Sequence, residues 1–146
     1  VDILLVHMIN EVARHVRLEF PRLRRLAVLS TDGTYRARVY PEALAKEGVE
    51  VIDQGPRLQK LVQTAIYHPV YGIKAQSSPV SPRARAALEK AVRALKARGA
   101  QAVILGCTEL PLALPERKLF GMPLIDSTGV LARALVRAAA PSQLVA

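Results

Sequence analysis

The chain has no tryptophan, two phenylalanines, four tyrosines and one cysteine. A single cysteine closes no internal disulfide, which points to a reducing, cytoplasmic setting. With aromatics at 4% there is little on which to stack nucleic-acid bases. No apolar run approaches the roughly 20 residues of a membrane helix. The N-terminus shows neither the basic start nor the small-residue cleavage site of a secretory signal. His7, His15 and His68 are too scattered to build a metal site. There is no G-x-G-x-x-G pattern, phosphate loop or G-x-S-x-G elbow. Neither a nucleotide cofactor nor a serine nucleophile is therefore implied.

What is present fits one soluble domain. The 146 residues are enough to bury a real core, and 51% are hydrophobic against 23% charged. The net charge is +9, with arginine concentrated between Arg14 and Arg38 and between Arg83 and Arg98. Arginine at helical spacing is usually a solvated face. Without a recognition motif it does not amount to a nucleic-acid site. A basic surface does attract small dicarboxylates.

Apolar runs alternate with amphipathic stretches along the chain. Residues 1–6 read as a buried strand and 11–19 as a helix after Asn10. Residues 26–29 form the next strand. The turn Thr31-Asp32-Gly33-Thr34 is placed to cap a helix reaching about Lys46, with Gly48 behind it. Residues 49–52 read as a short strand, and Pro56 opens a helix to Ile66. Residues 68–82 form a proline-rich loop with room for a helical turn near Ile73. Ser81-Pro82 starts a helix ending near Arg98, with Gly99 as its stop. Residues 102–105 and 124–125 complete the strands. The segment between them is a loop with room for a short helix, and Ser127 caps a last helix to Ala139. This alternation predicts an α/β fold with parallel strands and helical crossovers.

The stretch Leu105-Gly106-Cys107-Thr108-Glu109-Leu110-Pro111 carries the chemistry. An apolar strand delivers the thiol to its C-terminal end, where open parallel sheets bind small molecules. Gly106 permits a tight turn or a close approach. A free cysteine is otherwise most often a small buried hydrophobe. A thiol is suited to moving a proton at an α-carbon if its pKa, ordinarily about 8.5, is lowered toward neutral. The helix N-terminus after the strand is expected to supply that push, and so is Lys74 if the family resemblance given next places it nearby.

Gly106-Cys107-Thr108-Glu109 followed by Leu-Pro resembles the second cysteine motif of the cofactor-independent aspartate/glutamate racemases. The aspartate branch is closer, because the glutamate branch usually has histidine where this chain has Glu109. Val28-Leu29-Ser30-Thr31-Asp32-Gly33-Thr34, with Tyr40 after it, resembles the family's T-x-G-T segment and following tyrosine. Ile66-Tyr67 and Gly72-Ile73-Lys74 resemble its lysine segment. Pro123-Leu124-Ile125-Asp126-Ser127-Thr128 resembles its C-terminal signature.

The resemblance implies a three-layer, flavodoxin-like parallel-sheet domain that is one half of a two-domain racemase. Residues 1–24 and 127–146 would pack with the other half, which would bring the first catalytic cysteine in a C-N-T-type motif. Apolar faces without that cover lead us to expect a homo-oligomer. The implied function is racemisation of a small amino acid or dicarboxylate, with no cofactor. Cys107 would be one of two acid/base groups. Thr31, Gly33 and Thr34 would line the substrate site, and Lys74 would hold a substrate carboxylate. Thr108 would bind polar groups, and Glu109 would contact the amine or orient the thiol. Two alternatives stay open: a one-cysteine decarboxylase of the same fold, and a non-catalytic dicarboxylate-binding remnant.

Overall fold

The computed structural model describes residues 3–144. Its centre is a pair of short parallel strands, β1 (Arg25–Leu29) and β3 (Val103–Leu105). Both are buried on both faces, as strands between helical layers must be. Leu26, Val28 and Ile104 face one layer, while Ala27, Leu29, Val103 and Leu105 face the other. β2 (Glu50–Val51) lies outside β1, and β5 (Met122–Asp126) lies outside β3, both parallel. The short strand β4 (Lys118–Leu119) closes that edge, so the sheet order is β2-β1-β3-β5-β4. The four parallel strands thus follow the 2-1-3-4 order of a flavodoxin-like sheet.

β4 departs from the all-parallel expectation, since it runs antiparallel to β5. Only Phe120 and Gly121 separate the two strands, and both have positive φ (50° and 79°). A two-residue turn of that kind makes a hairpin, and a hairpin pairs antiparallel.

Helices α4 (Gly55–Tyr67) and α5 (Pro82–Ala97) cover one face. The Ser81 hydroxyl accepts from the Arg83 N–H, Pro82 opens α5, and Gly99 (φ 93°) follows its end, as expected. The short helix α6 (Leu110–Ala113) follows β3. The other face carries α1 (Met8–Glu19) and α3 (Val39–Ala45), with α7 (Ser127–Ala139) packed on α1. The helix expected from the Thr31 turn to Lys46 is two helices, α2 (Asp32–Ala37) and α3, broken at Arg38 (φ 54°). α2 is polar and buries no side chain, whereas α3 buries Tyr40 and Leu44. The break lets each segment take its own orientation.

Two further expectations need correction. Residues 3–7 form no strand, and Ile3, Leu4 and Leu5 are 86%, 74% and 80% exposed; residues 1 and 2 lie outside the described residues. An apolar segment with no neighbouring strand has no ladder to join and no layer to face. The cap of α7 is Asp126 rather than Ser127: Asp126 Oδ1 accepts from the Thr128 N–H at 2.9 Å. A carboxylate suits the positive end of a helix. The buried Ser127 hydroxyl instead donates to the Leu105 carbonyl, tying α7 to β3. Among the described residues, no helix is long and apolar enough to cross a membrane.

Candidate active site

The turns after β1, β3 and β5 share the C-terminal edge of the sheet. The chain leaves β1 toward β2 on one side, and β3 lies on the other, so the topological crevice falls between β1 and β3. Gly106 sits in it, donating its N–H to the Leu29 carbonyl at 2.8 Å. A Cβ at Gly106 would stand 3.1 Å from both the Tyr40 ring and the Val28 side chain. A methyl there would be tighter than ordinary contact, so close packing favours glycine where the chain turns into Cys107.

The half-buried Cys107 thiol donates to Glu109 Oε2 at 2.7 Å. The Thr108 hydroxyl donates to the same oxygen at 2.9 Å. Lys74 Nζ pairs with the other oxygen, Oε1, at 2.6 Å and lies 5.2 Å above the Tyr67 ring. The structure therefore gathers Lys74, Cys107, Thr108 and Glu109 around one carboxylate.

Lys74 reaches this point because its loop is pinned by hydrogen bonds and a buried side chain. The Ile73 and Lys74 N–H groups donate to the Ala65 and Ile66 carbonyls, and the Ile73 side chain is fully buried. The His68 and Tyr71 rings stack at 3.7 Å, and His68 Nδ1 accepts from the Val70 N–H. A Cβ at Gly72 would fall 2.5 Å from the His68 nitrogen, so only glycine lets the loop fold back this tightly.

Thr31, Gly33 and Thr34 occupy the neighbouring strand end. Thr31 holds the N-cap position of α2, yet its hydroxyl makes no cap bond. A Cβ at Gly33 would meet nothing within 4 Å. Thr34 lines a cleft toward β2. No hydrogen bond joins these three to Cys107 among the described residues. Asp32, by contrast, is held firmly by Gln59 Nε2 at 2.8 Å and by Gln63 Oε1 on its N–H at 2.9 Å.

The electrostatics correct one expectation. Burial, followed by the hydrogen bond to the Glu109 carboxylate, pushes the Cys107 thiol up to about 11. The bonds from Cys107 and Lys74 pull Glu109 down to about 2. Lys74 is raised by the same carboxylate. Lys74 pulls the thiol down only as the smallest contribution, and the net shift is upward, away from neutral. At rest the site holds a protonated thiol, an ionised carboxylate and an ammonium.

Tyr40 and Ser127 were legible only as motif residues, without a role. Tyr40 is 2% exposed, and its hydroxyl has no hydrogen-bond partner. Burial raises its phenol, with the nearby Ser127 hydroxyl pulling the other way. Ser127 Oγ donates to the Leu105 carbonyl and stands near the Tyr40 hydroxyl without closing a hydrogen bond to it.

Residues 1–135 match the family model for Asp/Glu/hydantoin racemases. The chain belongs to that family. A solved structure of a candidate Asp/Glu racemase from Yersinia pestis superposes with a TM-score of 0.78 at 26% identity, covering 92% of this chain and 56% of that one. The aspartate racemase of Picrophilus torridus gives a TM-score of 0.73 at 25% identity, covering 92% and 52%. An aspartate racemase homologue from Pyrococcus horikoshii OT3, 24% identical with a TM-score of 0.74, shares the fold over 95% of this chain and 57% of that one. An uncharacterized Pectobacterium carotovorum protein is 30% identical over 96 residues, 63% of this chain and 57% of its own. The chain thus spans about half the length of the relatives it matches.

Proposed function

We propose that this chain forms one side of a cofactor-independent racemase site for a small amino acid or dicarboxylate such as aspartate. The observation that carries the reading is the Lys74–Glu109–Cys107 chain of contacts at the edge of the sheet. A protonated thiol supports the acid role. Cys107 gives its proton to one face of the α-carbon, its S–H electron pair stays on sulfur, and a base on the opposite face takes the original α-proton. In the reverse direction the thiolate is the base. Lys74 exchanges Glu109 for the substrate carboxylate, and the Thr31 and Thr108 hydroxyls, with the open space at Gly33 and Thr34, receive its other polar groups. The second acid/base group comes from outside the residues described.

Chiral chromatography of L- and D-aspartate tests this directly. The protein should interconvert them, and Cys107→Ala should lower the rate by about 10²–10⁴-fold. Equal rates in both proteins would overturn the role of Cys107.

The protonated lone thiol also favours a second reading, decarboxylation of a disubstituted malonate. There the C–C electron pair stays on the α-carbon, carbon dioxide leaves, and Cys107 supplies the only proton needed. Carbon dioxide release without aspartate racemisation would select it. Dicarboxylate binding by calorimetry with neither activity would select a binding remnant.

The same reading includes self-association through the open apolar side. Ile3, Leu4, Leu5 and Leu135 are left to solvent there. Light scattering on a sizing column should give more than one chain per particle, and a clean monomer would remove this part.

A further inference from the structure

The segment that carries Lys74 is folded around one imidazole. α4 ends at Tyr67, and residues 68–73 must turn the chain back to bring Lys74 beside Glu109. Pro69 has no N–H to give. The next two N–H groups, of Val70 and Tyr71, both donate to His68 Nδ1, at 3.2 and 3.4 Å. The Gly72 N–H donates to the His68 carbonyl at 2.9 Å, and Ile73 and Lys74 complete the series on the Ala65 and Ile66 carbonyls. Every N–H from Val70 to Lys74 therefore has its acceptor, and the first two depend on a side chain. A side chain that accepts from the N–H two residues on closes a local turn, the part usually played by asparagine or aspartate.

His68 also contributes a ring. It stacks on Tyr71 at 3.7 Å between centroids, and the Arg83 guanidinium of α5 lies 4.1 Å over the Tyr71 ring. The stack fastens the turn sideways to α5. The acceptor does something different, since it fixes the direction in which the chain enters Gly72.

That direction decides where Lys74 stands. Its side chain is 43% exposed, so water competes with Glu109 for the ammonium. An ion pair this open contributes too little to hold a loop by itself. The backbone places the lysine, and the pair with Glu109 follows. Without an acceptor at residue 68, the Val70 and Tyr71 N–H groups must find water instead, and the turn opens.

We propose that His68 is a positioning residue whose Nδ1 closes the turn that presents Lys74 to the substrate carboxylate. This rests on the racemase reading for the substrate, while the placement of Lys74 is measurable without one. No hydrogen bond joins His68 to Cys107 or Glu109 among the described residues, so it acts through Lys74.

Two variants separate the acceptor from the ring. His68→Phe keeps an aromatic ring beside Tyr71 and loses the acceptor. His68→Asn loses the ring and keeps an acceptor suited to the same turn. Acylation of the full chain with acetic anhydride, read lysine by lysine by mass spectrometry, reports where Lys74 stands. An ammonium held by a carboxylate is a poor nucleophile, so Lys74 should react at least about fivefold faster in His68→Phe than in the parent. In His68→Asn it should react as in the parent. The exposed Lys46 and Lys90 should label alike in all three proteins, which separates local release from general loosening. With aspartate as substrate, His68→Phe should raise KM at least about tenfold at nearly constant kcat, and His68→Asn should restore KM.

The proposal is overturned if Lys74 labels in His68→Phe as in the parent, or if KM is unchanged there. Release of Lys74 in His68→Asn as well would assign the effect to the ring and overturn it. Faster labelling of Lys46 and Lys90 alongside Lys74 would make His68 a general support of the fold, with the same consequence. A parent inactive on aspartate that still shows the expected labelling pattern overturns the racemase reading alone and supports the placement of Lys74 by His68.

Discussion

The two sides of the sheet are built to different standards. On one, α4 and α5 each bury five positions, and the core runs without a break from Leu58 through Leu95 to Leu114. On the other, α7 buries only Ser127 and Ala134, while Leu18, Leu135 and the Ile3–Leu5 segment face solvent. Hydrophobic burial scales with area removed from water, so the first side contributes the larger share of stability, although α1 and α3 still bury Val12, Ala13, Val16, Tyr40 and Leu44 on the second. The second keeps apolar surface that the isolated chain leaves unused. The surroundings of Cys107 straddle this divide. Cys107 packs against the finished core, while Tyr40, against Gly106, belongs to the other.

Truncation should expose the contrast most sharply. Leu88→Ala, in the finished core, should cost about 2–5 kcal/mol in urea unfolding. If it costs no more than Leu135→Ala, the two sides do not differ and the comparison fails. Next in size is the seam between them. Gly106→Ala forces a methyl against Tyr40, Val28 and the Leu29 carbonyl. It should destabilise by about 1–3 kcal/mol. Gly33→Ala, with open space around it, should be neutral or stabilise by up to about 1 kcal/mol.

A smaller effect reads the electrostatics of the site. The rate of Cys107 alkylation should titrate with a midpoint near 11, and Glu109→Gln should move that midpoint down toward the ordinary thiol value. The stability consequences have opposite signs. The Cys107 thiol is raised on folding, so its contribution is present below the unfolded thiol value and fades as pH climbs through about 11. The Glu109 carboxyl is depressed, so its contribution is present above the unfolded value and is lost as pH falls through about 2. Melting temperatures of parent and Glu109→Gln across pH should converge at the acid end. Parallel curves would mean that the carboxylate has no folded-state partner.

The smallest change belongs to the open side. Replacing Ile3, Leu4 and Leu5 together by serine should alter the stability of a single chain by less than about 0.5 kcal/mol. The same variant should reduce association on a sizing column. A loss comparable with Leu88→Ala would show that the segment is buried after all.

Much of the site was legible because its residues are close in sequence. Cys107, Thr108 and Glu109 follow one strand, and the strand itself is marked by an uninterrupted apolar run ended by glycine. Lys74 could be proposed only through family resemblance. Thirty-odd residues separate it from Glu109, and the pinning of its loop by Ile73, Gly72 and His68 has no local signature. The resting charge state was not legible either. Proximity of a lysine suggested a lowered thiol pKa, but burial of the thiol, followed by its bond to the Glu109 carboxylate, reverses the sign. Arg38 was missed for a related reason, since nothing in its neighbours announces a left-handed residue splitting one helix into two.

Periodicity and punctuation along the chain determined the alternation of strands and helices, the parallel core and the strand end that bears the thiol, because those depend on local pattern and on crossover geometry. Tertiary structure alone decided which carboxylate takes the lysine, which hydroxyls stay unpartnered, and which apolar segment finds no strand to pair with. Those outcomes depend on what lies within a few ångströms after folding, and such neighbours come from distant parts of the chain.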